Sequence, residues 1–162
     1  MKHKSILFMS QGAMIAALYV ALTMLASALN LSSGAVQIRF SEALTVLPVF
    51  TPAAIPGLFV GCMISNLISG CVIWDVIFGS LATLIGALGT YLLRKTKIFS
   101  LLPPIAANTL IVPVVLVYAY GAKGTLPYFI LTVGIGEIIS CGVFGYLLRS
   151  ALEKNGKGIK WS

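Results

Sequence analysis

Apolar residues run in long blocks through this chain, and the polar positions that separate the blocks carry most of the charge. A helix that crosses a bilayer needs about 20 consecutive apolar residues. Five stretches meet that length: Ile6–Leu29, Thr51–Gly70, Trp74–Leu93, Leu101–Tyr120 and Leu126–Leu148. Between Leu31 and Phe50 only Ala43–Phe50 is apolar, too short to cross as an ordinary α-helix. Ser41–Phe50 is therefore either a short or tilted sixth helix or a re-entrant piece.

The placement of the cations chooses between these. Lys2 and Lys4 precede the first block, Arg94, Lys95 and Lys97 follow the third, and Arg149, Lys154, Lys157 and Lys160 follow the last. Only Arg39 and Lys123 fall in the other connections. Basic residues collect on the cytoplasmic side, so both termini and the Arg94–Lys97 loop are expected inside. An even number of crossings results, and Ser41–Phe50 must be one of them. The expected architecture is an all-α integral membrane protein, a bundle of six transmembrane helices with N-in and C-in termini. It forms a single domain over residues 1–162 that ends in a short basic tail, 153–162. Leu31–Phe40 is then an external loop. Phe50–Pro56 is a tight internal turn, which suits Pro52 and Pro56 because proline begins helices well and disrupts their interiors. The tetrad Tyr-Leu-Leu-Arg occurs at Tyr91 and again at Tyr146, which fits an interfacial anchor used twice.

Composition agrees. Of 162 residues, 59% are hydrophobic and 9% charged, with a mean hydropathy of +1.02. A soluble domain carries about 25% charged residues. The net charge of +7 reads as orientation signal rather than nucleic-acid binding, because no basic cluster is interleaved with aromatics. Cys62, Cys71 and Cys141 lie in apolar context without metal-ligand spacing and read as small buried hydrophobes. The first apolar block outruns a signal-peptide core and lacks a small-x-small cleavage site, so a retained span is expected.

Polar groups inside lipid are costly and mark candidate sites. The acids are Glu42, Asp75, Glu137 and Glu153, the last assigned to the basic tail. Glu42 and Asp75 begin helices at the outer side, while Glu137 lies about 17 Å below Leu126, near the midplane. Asn108 reaches nearly the same depth and Asn66 sits higher. These three carboxylates and two amides suit one small cationic or donor-rich ligand entering from outside, with Trp74, Tyr118 and Tyr128 as flat surfaces for a planar ring. Each has a plainer reading. Asp75 suits a helix N-terminus, Glu42 could pair with Arg39, the amides could cross-bond helices, and the aromatics could form an interfacial belt. Glu137 alone has no basic residue within the spans to pair with. No GxxxxGK[ST], Ser-His-Asp set or metal spacing is present, so neither catalysis nor a cofactor is expected, and His3 belongs to the basic N-terminus. A self-sufficient secondary transporter or channel, with Glu137 as proton relay, is the alternative to a subunit that only binds; no inverted repeat favours it.

Two stretches carry a resemblance. "QIRFSEALTVLPVFTPAAIPGLFVGCMISNL" and "DVIFGSLATLIGALGTYLLRK" are similar to the QueT family of S components, the substrate-binding subunits of energy-coupling factor (ECF) transporters. The resemblance implies a six-helix fold with both termini inside, in a bacterial plasma membrane. It implies a queuosine precursor as ligand, a 7-deazaguanine such as preQ1. It further implies a transmembrane coupling subunit and two cytoplasmic ATPases as partners, which would supply the ATP chemistry absent here. A deazaguanine offers N1–H and an exocyclic amine side by side, and preQ1 adds an ammonium; carboxylates suit both. On that reading Glu137 takes the guanine edge, Asp75 or Glu42 the ammonium, and Asn108 or Asn66 the carbonyl, while Arg39 holds the external loop over the site and the prolines end the short helix and turn the chain back. S components also resemble this chain in a first helix with small residues every fourth position, here Ala13, Ala17 and Ala21. These would dock the coupling subunit, or pack internally against a neighbouring helix.

Overall fold

The computed structural model describes residues 2–31 and 36–155, and every regular element among them is helical. α1 is Lys2–Ala28, followed by a 3-10 helix at Phe40–Val49. α2 is Ala54–Ile68 and α3 is Ile73–Leu92. A 3-10 turn at Phe99–Leu101 leads into α4, Leu102–Tyr118. The last run is α5, Leu126–Glu137, a π-helical stretch at Ile138–Phe144, and α6, Gly145–Asn155. Four of the runs are long and apolar enough to cross a membrane: His3–Ala28, Ile73–Leu92, Phe99–Tyr118 and Leu126–Asn155. Phe40–Val49 and Ala54–Ile68 are shorter. Residues 156–162 of the expected basic tail, with Lys157 and Lys160, lie outside the described residues, as do residues 32–35 of the first loop.

The short second segment is helical, but as a thin 3-10 helix. Pro48 lies inside it and has no N–H to give an α-turn, and the Thr45 hydroxyl donates to the Glu42 carbonyl at 2.6 Å. At about 2 Å of rise per residue, a 3-10 helix of this length extends about 20 Å where an α-helix would extend about 15 Å. Pro48 thus sits within the helix instead of ending it. Pro52 occupies the following turn and Pro56 the first turn of α2, where proline is tolerated. Ser41, Glu42, Leu44, Thr45, Val46, Leu47 and Pro48 are all buried, because α1, α2, α3, the π stretch and α6 pack around this element. It forms the axis of the bundle.

Burial is inverted relative to a water-soluble domain. Met14, Leu18, Ile64, Leu67, Ile85, Leu110, Leu131 and Leu147 are exposed, whereas Ser41, Glu42, Thr45, Asn66, Asp75, Thr83, Asn108 and Glu137 are buried. A surface of this kind suits lipid, and the polar groups pair inside. Small residues allow the backbones to close up. A Cβ on Gly57 would strike Gly12, and one on Gly61 would strike Ala16 and Tyr19, so the Gly57–Gly61 spacing brings α2 onto α1. Gly86 and Gly89 likewise receive Pro104 and Pro103 of α4.

Glu153 is not part of a free tail. α6 carries it to 2.8 Å from Arg149 Nε and 2.9 Å from Lys97 Nζ. Arg149 is buried, and its guanidinium also reaches the carbonyls of Arg94, Thr96 and Lys97 and the Ser100 hydroxyl. This network joins the α3–α4 connection to the last helix.

Candidate substrate-binding site

Glu42 begins the central 3-10 helix, and two helices hold its carboxylate. The Tyr19 hydroxyl of α1 donates to Oε1 at 2.5 Å, and Asn108 Nδ2 of α4 donates to Oε2 at 3.3 Å. Across from it, Glu137 ends α5 where the helix widens into the π stretch, a local form often found at functional sites. Cys141, four residues on, donates its thiol to Glu137 Oε2 at 3.2 Å and lies 3.9 Å from Glu42 Oε2. A ligand atom from each of Glu42, Glu137 and Cys141 falls within 4.8 Å of the others. Glu42 is 1% exposed, Asn108 4% and Glu137 8%.

These groups line a narrow chamber with Gln37, Arg39, Gly79, Thr83, Val112 and Val133. Its free volume of about 10 Å³ admits roughly one water. Gln37, Arg39 and Val112 also line a second, wide cavity of about 440 Å³, together with Asp75, Asn66, Tyr120, Ser27, Ser69 and Cys71. That volume lies in the range of about 300–1,000 Å³ typical of small-molecule sites. Tyr120 donates to Asp75 Oδ2 at 2.9 Å, and Asn66 Nδ2 donates to the Asp75 carbonyl at 3.3 Å. Asn66 therefore both cross-bonds α2 to α3 and lines the cavity.

Gln37 and Arg39, which border both spaces, belong to the segment 36–39 ahead of the 3-10 helix. The Gln37 carbonyl lies so close to Gly136 that no side chain fits there, and the Arg39 N–H donates to the Ser140 hydroxyl at 3.2 Å. Glycine at 136 thus permits the loop to rest directly over the turn that bears Glu137. Arg39 is brought into the chamber wall, so Glu137 has a cation near it after all, supplied by the loop and not by the spans. No ion pair joins Arg39 to Glu42 among the described residues.

Six of the seven predicted binding residues, Glu137, Asp75, Glu42, Asn108, Asn66 and Arg39, line these adjoining spaces. Trp74 does not. It is exposed, stacks on Phe78 at 6.0 Å, and borders an apolar groove with Tyr118 on the outside of α3 and α4. Tyr128 is also exposed, so these three rings fit the interfacial-belt reading. The sequence reading did not single out Gln37, Thr83 and Tyr120, which line these spaces, or Tyr19 and Cys141, which bond the Glu42 and Glu137 carboxylates. Two of them left a trace: Tyr19, Thr23 and Ser27 recur every fourth residue on one face of α1, and Cys141 follows Glu137 by four.

A family model of the QueT transporter matches residues 9–154. The chain belongs to the QueT transporter family. Over 86 residues it is 42% identical to the queuosine precursor transporter QueT of Lactococcus lactis subsp. cremoris (strain MG1363). That match covers 52% of this chain and 50% of the relative, so the chain spans about half the length of the curated relative it matches. No solved structure matches.

Proposed function

We propose that this QueT-family chain is the S component of an ECF-type importer, binding a queuosine precursor, preQ1 or a related 7-deazaguanine, from outside a bacterial plasma membrane. The observation that carries this reading is the convergence of Glu42, Glu137 and Asn108 in one buried chamber beside a cavity that holds Asp75. Two carboxylates within 4.8 Å of one another favour a ligand that brings donors and positive charge. Glu137 takes the paired N–H groups of the guanine edge, Asn108 serves the carbonyl, and Asp75 or Glu42 meets the ammonium. Seating a bicyclic ring against Glu137 requires the narrow chamber to widen, and the wide cavity admits the ring first.

Both termini and the Arg94–Lys97 connection face the cytoplasm in this reading, and all six helical runs cross. The ATPases and the transmembrane coupling subunit are separate chains. Ala13, Ala17 and Ala21 are exposed on α1, which supports docking of the coupling subunit there over packing inside the bundle.

Purified protein in detergent, without ATP or partners, tests the assignment by thermal shift against preQ1, preQ0, guanine and thiamine. A ligand at 100 times its Kd should add about 2.7 kcal/mol to the stability of the folded state. Stabilisation by thiamine with none by any deazaguanine would refute the substrate. Uptake by the chain alone in liposomes would refute the subunit role and favour a self-sufficient transporter.

A further inference from the structure

α1 has two faces with different surroundings. Ala13, Ala17 and Ala21 are exposed, while Tyr19, about 200° around the helix from Ala17, is buried in the core with Ile15, Leu44, Leu58 and Cys62. Only the hydroxyl of Tyr19 leaves that apolar setting, and it meets Glu42 Oε1 at 2.5 Å. One turn further along, the Thr23 hydroxyl lies 2.9 Å from the Ser41 hydroxyl. α1 therefore grips the start of the central 3-10 helix at two neighbouring points, and only one of them is a carboxylate of the chamber. A carboxylate on a flexible stem would otherwise sample several orientations. The Tyr19 hydroxyl on one oxygen and the Asn108 amide on the other select a single one.

We propose that Tyr19 is a positioning residue, which from the buried face of α1 fixes the Glu42 carboxylate in the orientation met by the ligand. The inference rests on the transporter reading for the identity of that ligand, and it adds a role for a residue of α1 that never touches it.

Tyr19→Phe tests this, because it keeps the ring in the core and removes only the donor. Calorimetric titration of the purified variant with preQ1 should give an affinity about tenfold lower, equal to about 1.4 kcal/mol. Thr90→Val is the control: it removes another fully buried hydroxyl, which donates to the Ser100 carbonyl at 2.9 Å and lines neither space, and should leave affinity within about twofold. Wild-type affinity in Tyr19→Phe, or an equal loss in Thr90→Val, would overturn the proposal. If the unaltered protein binds no deazaguanine, the transporter reading fails instead, and a second measurement decides Tyr19. Denaturant unfolding of Tyr19→Phe, Glu42→Leu and the double variant should show non-additive effects when Tyr19 holds Glu42, whereas simple additivity would exclude it.

Discussion

Glu137→Gln is the most discriminating substitution in this protein. The side chain is 92% buried, at most 4.8 Å separates its nearest carboxylate oxygen from that of Glu42, and the Cys141 thiol is its donor. Glutamine keeps the size while replacing one acceptor by a donor. With the ligand seated as proposed, that donor faces the N–H groups of the guanine edge. The lost charged hydrogen bond and the opposed donors should cost about 2–5 kcal/mol, which lowers affinity by roughly thirtyfold to several thousandfold. The ligand-free protein should respond in the opposite sense. With both carboxylates ionised, their repulsion at this separation is about 3 kcal/mol for an effective dielectric of about 20. Neutralising one removes it, so the apo variant should melt no lower than the unaltered protein and up to several degrees higher. Calorimetric titration with preQ1, paired with thermal unfolding without ligand, reads both signs. Unchanged affinity would assign Glu137 a structural role and move the ligand's carboxylate to Asp75 or Glu42. Lower affinity together with a lower apo melting temperature would instead mean that the chamber had collapsed.

Two further substitutions separate docking and folding from binding. Ala17→Trp puts bulk on the exposed face of α1, so preQ1 binding should persist while copurification with the coupling subunit and uptake are lost; retained uptake would place the docking face elsewhere. Arg149→Ala removes a buried guanidinium that contacts three carbonyls, a hydroxyl and Glu153, and should cost about 3–5 kcal/mol of stability, whereas Arg149→Lys should recover only part of it; a melting temperature within a degree of the unaltered protein would deny the network any role in holding α6.

The hydrophobic blocks determined the all-helical character, five of the six helical runs and the candidate acids, and the placement of the cations supplied the sixth run. Lipid imposes a length and a polarity rule that each segment obeys locally, so Ile6–Leu29 and Trp74–Leu93 were legible to within a few residues at most of their ends. Glu42, Asp75, Glu137, Asn66 and Asn108 stood out for the same reason, since a polar group in an apolar run has to be accommodated somewhere. Which of them meet was decided only by tertiary structure. Glu42 and Glu137 lie on helices far apart in sequence, and their approach depends on a thin 3-10 helix at the bundle axis and on a glycine at 136 that lets residues 36–39 lie against α5. Neither feature has a hydrophobic period that would announce it. The roles of Tyr19 and Cys141 are also set by their partners. A tyrosine in an apolar helix looks like core until its hydroxyl finds Glu42, and a cysteine looks like a small hydrophobe until its thiol faces Glu137. Trp74 is the converse case. Its place at a helix start fits a ligand platform and a membrane belt equally well, and only the rotation of α3, set by its packing against α2 and α4, turned it outward.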